Sequence, residues 1–201
     1  MTGTKQERPT YKTAVRIVLV GFMGAGKTTV GRLLAQKLAW TFIDLDDEIV
    51  NCYGRTIAQI FEQSGEPGFR AIERSALQSL ITSLDAPEHD HELSCRGEAG
   101  IVLGIGGGAF VQPENAALLR EHGFTSVFLD ASVDELRQRC ADAGATRPLY
   151  GDENLFRQLY EARRGGYMAA DLRVDTGGKT PAQVVDELLG FRISLYQAGE
   201  G

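Results

Sequence analysis

The sequence predicts an α/β fold of three layers, α/β/α, around a central parallel sheet of about five strands. Three observations carry that prediction. Short apolar runs rich in β-branched residues alternate with longer stretches of helical periodicity. Short turns join most of these segments, as right-handed βαβ units require. Two of the apolar runs also lead straight into glycine-rich segments, 21–28 and 106–108. In such a sheet ligands sit at the carboxyl ends of the strands, so the residues that follow each strand are the candidate functional ones.

The first strand is the run 14–20, AVRIVLV, apolar enough to be buried on both faces. It leads into GFMGAGKT, residues 21–28, which fits G-x-x-x-x-G-K-[ST]. Val30, Leu33, Leu34 and Leu38 then recur at helical spacing, with Arg32, Gln36 and Lys37 on the other side. A chance glycine-rich turn would not come with a strand before it and a helix after it. Gly21, Gly24 and Gly26 let the backbone aim successive N–H groups at phosphate oxygens, and the helix adds its positive end. Lys27 can reach the outer phosphates and the Thr28 hydroxyl can ligate Mg²⁺. The chemistry implied is nucleoside triphosphate binding.

Residues 40–43 form a short second strand ending in Asp44-Leu45-Asp46-Asp47. Asp44 and Asp46 at a strand end suit Mg²⁺ or a hydroxyl proton, and equally suit helix capping. A helix over 46–53 stops at Gly54. Thr56 caps a short helix over 57–65, with Gln59 at the capping-box position. Pro67 opens a longer helix to about residue 83. Arg70 lies in its first turns, either solvated or functional, with Glu73 three residues on to hold it. Residues 85–100 are polar and aperiodic, a surface insert. The third strand, 101–105, leads into Gly106, Gly107 and Gly108, read as a place of close backbone approach to a ligand or as a flexible turn.

A helix over 113–122, a strand over 126–130 and a helix over 132–141 follow. A loop over 143–152 carrying Arg147 reads as a lid. The next helix carries Leu155, Phe156, Leu159 and Tyr160. Arg163 and Arg164 come before Gly165-Gly166 at a helix end. Residues 172–174 are a last short strand, and Pro181 opens the final helix.

Composition bounds the rest. At 201 residues, with 43% apolar and 24% charged residues, one soluble domain is expected, 1–201, with 1–13 as a flexible tail. A net charge of −6 and no Lys/Arg cluster argue against a nucleic-acid partner. The polar N-terminal tail lacks a signal-peptide core, and no apolar run reaches the ~20 residues of a membrane span. Three scattered cysteines, Cys52, Cys95 and Cys140, suggest reduced thiols in the cytoplasm. His89, His91 and Cys95 lack the second ligand pair of a metal site and read as a solvated loop.

Taken together, GFMGAGKTTVGRLLA, FIDLDDEI, GRTIAQIFEQSGEPGFRAIE, IGGGAF, TRPL and LRVDT resemble the shikimate kinases, phosphate-loop enzymes of the nucleoside-monophosphate-kinase-like branch. The segments stand in the family's order from about residue 15 to 190. A phosphate loop alone says only nucleotide; its combination with D-x-D, G-E-x-x-F-R-x-x-E and G-G-G is what points to this family. The resemblance implies a single P-loop kinase domain using ATP and Mg²⁺ to phosphorylate a shikimate hydroxyl, in a monomer. It implies Asp46, Lys27 and Arg147 as catalytic residues. Gly24, Ala25, Gly26, Lys27, Thr28, Thr29, Arg139, Arg147 and Pro181 would bind nucleotide. Asp46, Arg70, Gly106, Gly107, Gly108 and Arg163 would bind the acid, and Thr28 and Asp44 would serve the metal.

Two departures stand out. Where the family reads R-x-P-L-Y this chain has Arg163-Arg164-Gly165-Gly166-Tyr167, which leaves Arg163 and Arg164 both open as the carboxylate ligand. Val50 replaces a commonly acidic residue. A kinase of another hydroxy acid such as gluconate is the alternative. A GTPase switch would want an N-K-x-D signature, which is absent, and a binding protein without catalysis would not need Lys27, Thr28, Asp46 and Arg147 together.

Overall fold

The strand order β2-β3-β1-β4-β5 puts the first strand made, β1, at the middle of a five-stranded sheet. These strands are Val15–Val20 (β1), Thr41–Asp44 (β2), Gly100–Gly104 (β3), Phe124–Asp130 (β4) and Leu172–Asp175 (β5). A computed structural model describes residues 15–86, 100–142 and 152–198, with the backbone alone for 192–198. All four strand pairings are parallel, with Val15 opposite Gly100 and Arg16 opposite Phe124 on the two sides of β1. The helices are Lys27–Leu38 (α1), Leu45–Tyr53 (α2), Ile57–Leu84 (α3), Pro113–Glu121 (α4), Val133–Asp142 (α5), Glu153–Tyr167 (α6) and Pro181–Ala198 (α7). Consecutive residues of β1, β3 and β4 are buried, among them Val18, Leu19, Val20, Ile101, Val102 and Leu103. Unbroken burial of that kind needs helices over both faces, and it explains why these strands read as continuous apolar runs.

Local chemistry sets most element ends. Gly26, at φ 86°, starts α1, and Gly54, at φ 63°, ends α2. Thr56 and Gln59 form the reciprocal capping box of α3. Inside α3 the backbone breaks at Gly65, with φ 64° and ψ −176°, a region that is essentially glycine-only. The two helices expected over 57–65 and from 67 are thus present as two limbs that meet at this break. Phe61 on the first limb stacks on Phe69 on the second, ring centroids 4.4 Å apart, and holds the bend.

Several boundaries differ from the sequence reading. β2 spans Thr41–Asp44, because Trp40 instead packs under the start of β3, where a Cβ on Gly100 would meet its ring at 2.7 Å. Gly100, placed at the end of the insert, is thus the first residue of β3, and Asp85, at its beginning, caps α3. Residues 87–99, 143–151 and 1–14 lie outside the described residues, and with them the rest of the insert, most of the lid segment and the N-terminal tail. α6 continues through Gly165-Gly166 to Tyr167. A Cβ on Gly166 would meet Val111 at 3.0 Å, so this glycine lets the helix lie close against the chain leaving β3.

At the far end of the sheet, Arg16 at the start of β1 is 6% exposed. It donates to Asp85 Oδ1 at 2.5 Å, to the Leu84 carbonyl at 2.9 Å and to the His122 carbonyl at 3.2 Å. His122 Nδ1 lies 2.5 Å from Asp85 Oδ2. One buried guanidinium thus ties β1 to the ends of α3 and α4. Among the described residues no helix is long and apolar enough to cross a membrane.

Candidate active site

The phosphate loop joins β1 to α1, and its glycines are there for geometry. Gly24 sits at φ 80°, and a Cβ on it would come within 2.5 Å of the Leu136 carbonyl and 2.8 Å of Cys140 Sγ. The loop therefore lies directly on α5. Phe22, at one of the free positions of the motif, is buried edge-on against Phe156 and Tyr160 of α6, with centroids at 5.1 and 5.5 Å. Lys27 Nζ donates to the carbonyls of Gly21 and Phe22 at 2.9 and 3.1 Å, which curls it over its own loop. Ala25 is buried and Thr29 is exposed on α1.

Thr28 Oγ1 donates to Asp44 Oδ2 at 2.8 Å, and Asp44 Oδ1 accepts from the Asp46 N–H at 3.1 Å. Asp44 is thus both the cap of α2 and the partner of the loop threonine, so the two readings of it coexist. A hydroxyl and a carboxylate side by side at a phosphate loop are hard oxygen donors of the kind Mg²⁺ takes. Among the described residues no cluster of three or more His, Cys, Asp or Glu could hold a metal. Mg²⁺ fits this donor set nonetheless, since it is bound by one or two protein oxygens together with substrate phosphates.

The triple glycine follows β3 and abuts the phosphate loop: a Cβ on Gly107 would lie 3.1 Å from the Gly21 carbonyl. Each of its residues makes room for a different side chain. A Cβ on Gly106 would lie 2.7 Å from Glu73 Oε1 and 3.5 Å from Asp46 Oδ1. On Gly107 it would lie 2.8 Å from the Tyr167 hydroxyl, and on Gly108 it would overlap the guanidinium of Arg70. The segment is therefore closely packed and seats Glu73, Tyr167 and Arg70.

Those three carry the electrostatics. Glu73 is fully buried, and its Oε2 accepts from Arg70 Nη1 at 2.7 Å. Burial pushes the Glu73 carboxyl above its ordinary pKa, with the nearby Asp46 adding to the rise against Arg70 and Arg163. Burial works against the charge of Arg70, yet Glu73 and Glu66 together hold its pKa above the ordinary value. Tyr167, fully buried and stacked on Phe128, donates its hydroxyl to the Gly107 carbonyl at 2.5 Å. Burial pushes its pKa upward.

Arg70 and Arg163 share one cavity of about 490 Å³, lined also by Glu66, Pro67, Gly108, Val111 and Gln112. Arg163 is 15% exposed and lies 3.6 Å from Glu66, whereas Arg164 turns the other way, 3.8 Å from Asp130. Of the two candidates the structure brings Arg163, and not Arg164, to Arg70. Arg139 donates to the Thr176 carbonyl at 2.6 Å and to Glu135 at 2.7 Å, and Glu135 also accepts from Gly178 N–H at 2.9 Å. Arg139 thus stands beside the loop that leads to Pro181. Arg147 lies outside the described residues.

Four contributors carry no role in the sequence reading. Glu66 sits inside a quoted motif, one helical turn before Arg70, a spacing that could have flagged it as a partner of that arginine. Gln112, Tyr167 and Phe22 stand at positions whose residue type says nothing until the fold places them.

A family model described as "Shikimate kinase" matches residues 23–191. The chain is 36% identical over 174 residues to a shikimate kinase of Persephonella marina, covering 87% of this chain and 96% of that one. It is 41% identical over 178 residues to a shikimate kinase of Geobacter sulfurreducens, covering 87% and 89%. Among solved structures it is similar to the shikimate kinase of Acinetobacter baumannii in complex with shikimate, at a TM-score of 0.76 and 34% identity, covering 92% of this chain and 96% of that one.

Proposed function

The chain belongs to the shikimate kinase family, and from that premise we propose that it transfers the γ-phosphoryl group of ATP to a hydroxyl of shikimate. The products are shikimate 3-phosphate and ADP, on the route to the aromatic amino acids. The observation that carries the reading is a single cavity holding Arg70 and Arg163, whose neighbouring triple glycine touches both the phosphate loop and Asp46. Two planar guanidiniums suit a carboxylate, and the acid they hold presents its hydroxyls towards the loop that holds phosphate.

In the reaction the hydroxyl oxygen bonds to the γ-phosphorus as the bond to the β,γ-bridging oxygen breaks, and ADP leaves. Asp46 orients the hydroxyl and takes its proton. Lys27 leaves the carbonyls of its own loop to meet the phosphates, and the loop N–H groups and the α1 terminus add positive potential. Arg147, by its place in T-R-P-L, would supply a further charge over the transferring group. Arg139 and the loop ahead of Pro181 would lie near the adenine of ATP. Thr28 and Asp44 would hold Mg²⁺, which supplies charge neutralisation to the phosphates. The reading includes a monomer, and a cytoplasmic setting with which Cys52 and Cys140 in no disulfide agree.

A coupled assay for ADP release with ATP, Mg²⁺ and a panel of shikimate, gluconate and related acids tests this. Shikimate should be turned over with a kcat/KM well above every other acid. A preference for gluconate would replace this reading with the alternative, which the matched family and relatives do not favour.

A further inference from the structure

The two arginines of the cavity already share a carboxylate. Glu66 Oε1 lies 3.1 Å from Arg70 Nη2 and 3.6 Å from Arg163 Nη2, so a single oxygen sits between guanidiniums that come from α3 and α6. We propose that Glu66 occupies the carboxylate site of the free enzyme as an internal stand-in, which the substrate's own carboxylate must displace, and that it thereby sets the specificity of the cavity for acids. The proposal rests on the reading of Arg70 and Arg163 as ligands of the substrate carboxylate.

The two carboxylates on Arg70 differ in kind. Glu73 stands behind it, fully buried, paired at 2.7 Å and seated over Gly106. That pair cannot open without stranding a buried charge, so it is permanent. Glu66 stands at the cavity wall with its side chain 60% exposed, and it reaches each arginine at one point only. An exposed, single-point ion pair is weakly held, because water and salt compete for both partners. Its exchange for a carboxylate that engages both planar forks from inside the cavity is favourable, and Glu66 then passes to solvent at little cost.

The backbone supports the same reading. Glu66 follows Gly65, where α3 breaks, and precedes Pro67, which lines the cavity. Glu66 stands one turn before Arg70 on the same limb, which pairs the two, and Arg163 reaches the same oxygen from α6.

A neutral molecule of the same shape cannot replace the ion pairs that Glu66 gives up, so it leaves the internal carboxylate in place and is shut out. An acid restores them. Glu66 in this role discriminates by competition, and it weakens the correct ligand somewhat in order to exclude the wrong one.

The test is the affinity of Glu66→Gln and Glu66→Ala for shikimate, by titration calorimetry and by KM at saturating ATP. With the competitor gone, both variants should bind shikimate about two- to fivefold more tightly, the scale of one exposed ion pair. KM for ATP should stay as in the wild type, and the methyl ester of shikimate should lose part of its disadvantage against the acid. Unchanged or weaker shikimate binding in both variants would overturn the proposal and make Glu66 a residue that orients the arginines. A wild-type enzyme that phosphorylates shikimate while the variants gain nothing removes the Glu66 inference alone. A wild type that neither binds nor phosphorylates shikimate removes the functional reading and this inference with it. Thermal melting checks that the variants are folded, as the exposure of Glu66 leads one to expect.

Discussion

Asp46 and Asp44 stand two residues apart, yet their surroundings divide the work between them. Asp44 is engaged on both oxygens, by the Thr28 hydroxyl and by the Asp46 N–H. Asp46 instead faces Gly106 and the buried Glu73. Asp46→Asn keeps the shape and loses the proton acceptor, so kcat should fall by roughly 10²-fold or more, with nucleotide affinity little changed. Asp44→Asn should instead raise the Mg²⁺ concentration needed for activity. Single-turnover rates across a Mg²⁺ titration separate the two effects, and the reverse pattern would exchange the assignments. The candidate site residues legible in the sequence are those with a fixed local spacing, such as Lys27, Thr28, Asp44 and Asp46. Glu73 was legible only as a partner for Arg70, since nothing local reveals that it is fully buried. Tyr167 was illegible because its role is a single long-range bond to the Gly107 carbonyl.

At the scale of the element, the bend of α3 sets where Glu66 and Arg70 stand. Gly65 holds a backbone conformation that other residues reach only with strain of about 1–3 kcal/mol. Gly65→Ala should therefore cost stability of about that size in urea unfolding. KM for shikimate should rise with little change in KM for ATP, since the strain is relieved by shifting the limb that carries Arg70. Equal effects on both substrates would mean that the bend serves the fold and not the acid site. This element was legible because its punctuation is local: a Thr56 cap, a glycine, then a proline near the next helical start. The extent of α6 was not, because two successive glycines ordinarily end a helix. Here Gly166 is kept helical by its close approach to Val111, a contact across 55 residues that no local window contains.

The parallel sheet of about five strands alternating with helices was, at the scale of the whole molecule, the most legible feature, whereas its strand order, β2-β3-β1-β4-β5, was not read. The latch of Arg16, Asp85 and His122 at the opposite end of the sheet was not foreseen. Burial works against the Asp85 charge, but bonds from Arg16 and His122 outweigh it and hold the carboxyl below its ordinary pKa of 3.8. A carboxyl depressed in the folded state stabilises the fold above its unfolded pKa and stops doing so as pH falls through the folded value. Asp85→Asn should therefore flatten the acid limb of a stability curve measured by thermal melting from neutral pH to about pH 2. An acid limb identical to the wild type's would show that the latch contributes nothing.

The central position of β1 also governs the order in which the protein can be assembled as it is made. β1 leaves the ribosome first among the strands, and β2 soon after, but β2 pairs with β3 and β1 pairs with β3 and β4. No strand pairing can close until Gly100–Gly104 has been synthesised, so both strands wait unpartnered until about half of the chain has been made. Synthesis is slow beside local helix formation. Nascent chains stalled before Gly100 should hold α1 to α3 as isolated amphipathic helices around exposed strands, the form in which this enzyme is most open to aggregation and to capture by chaperones.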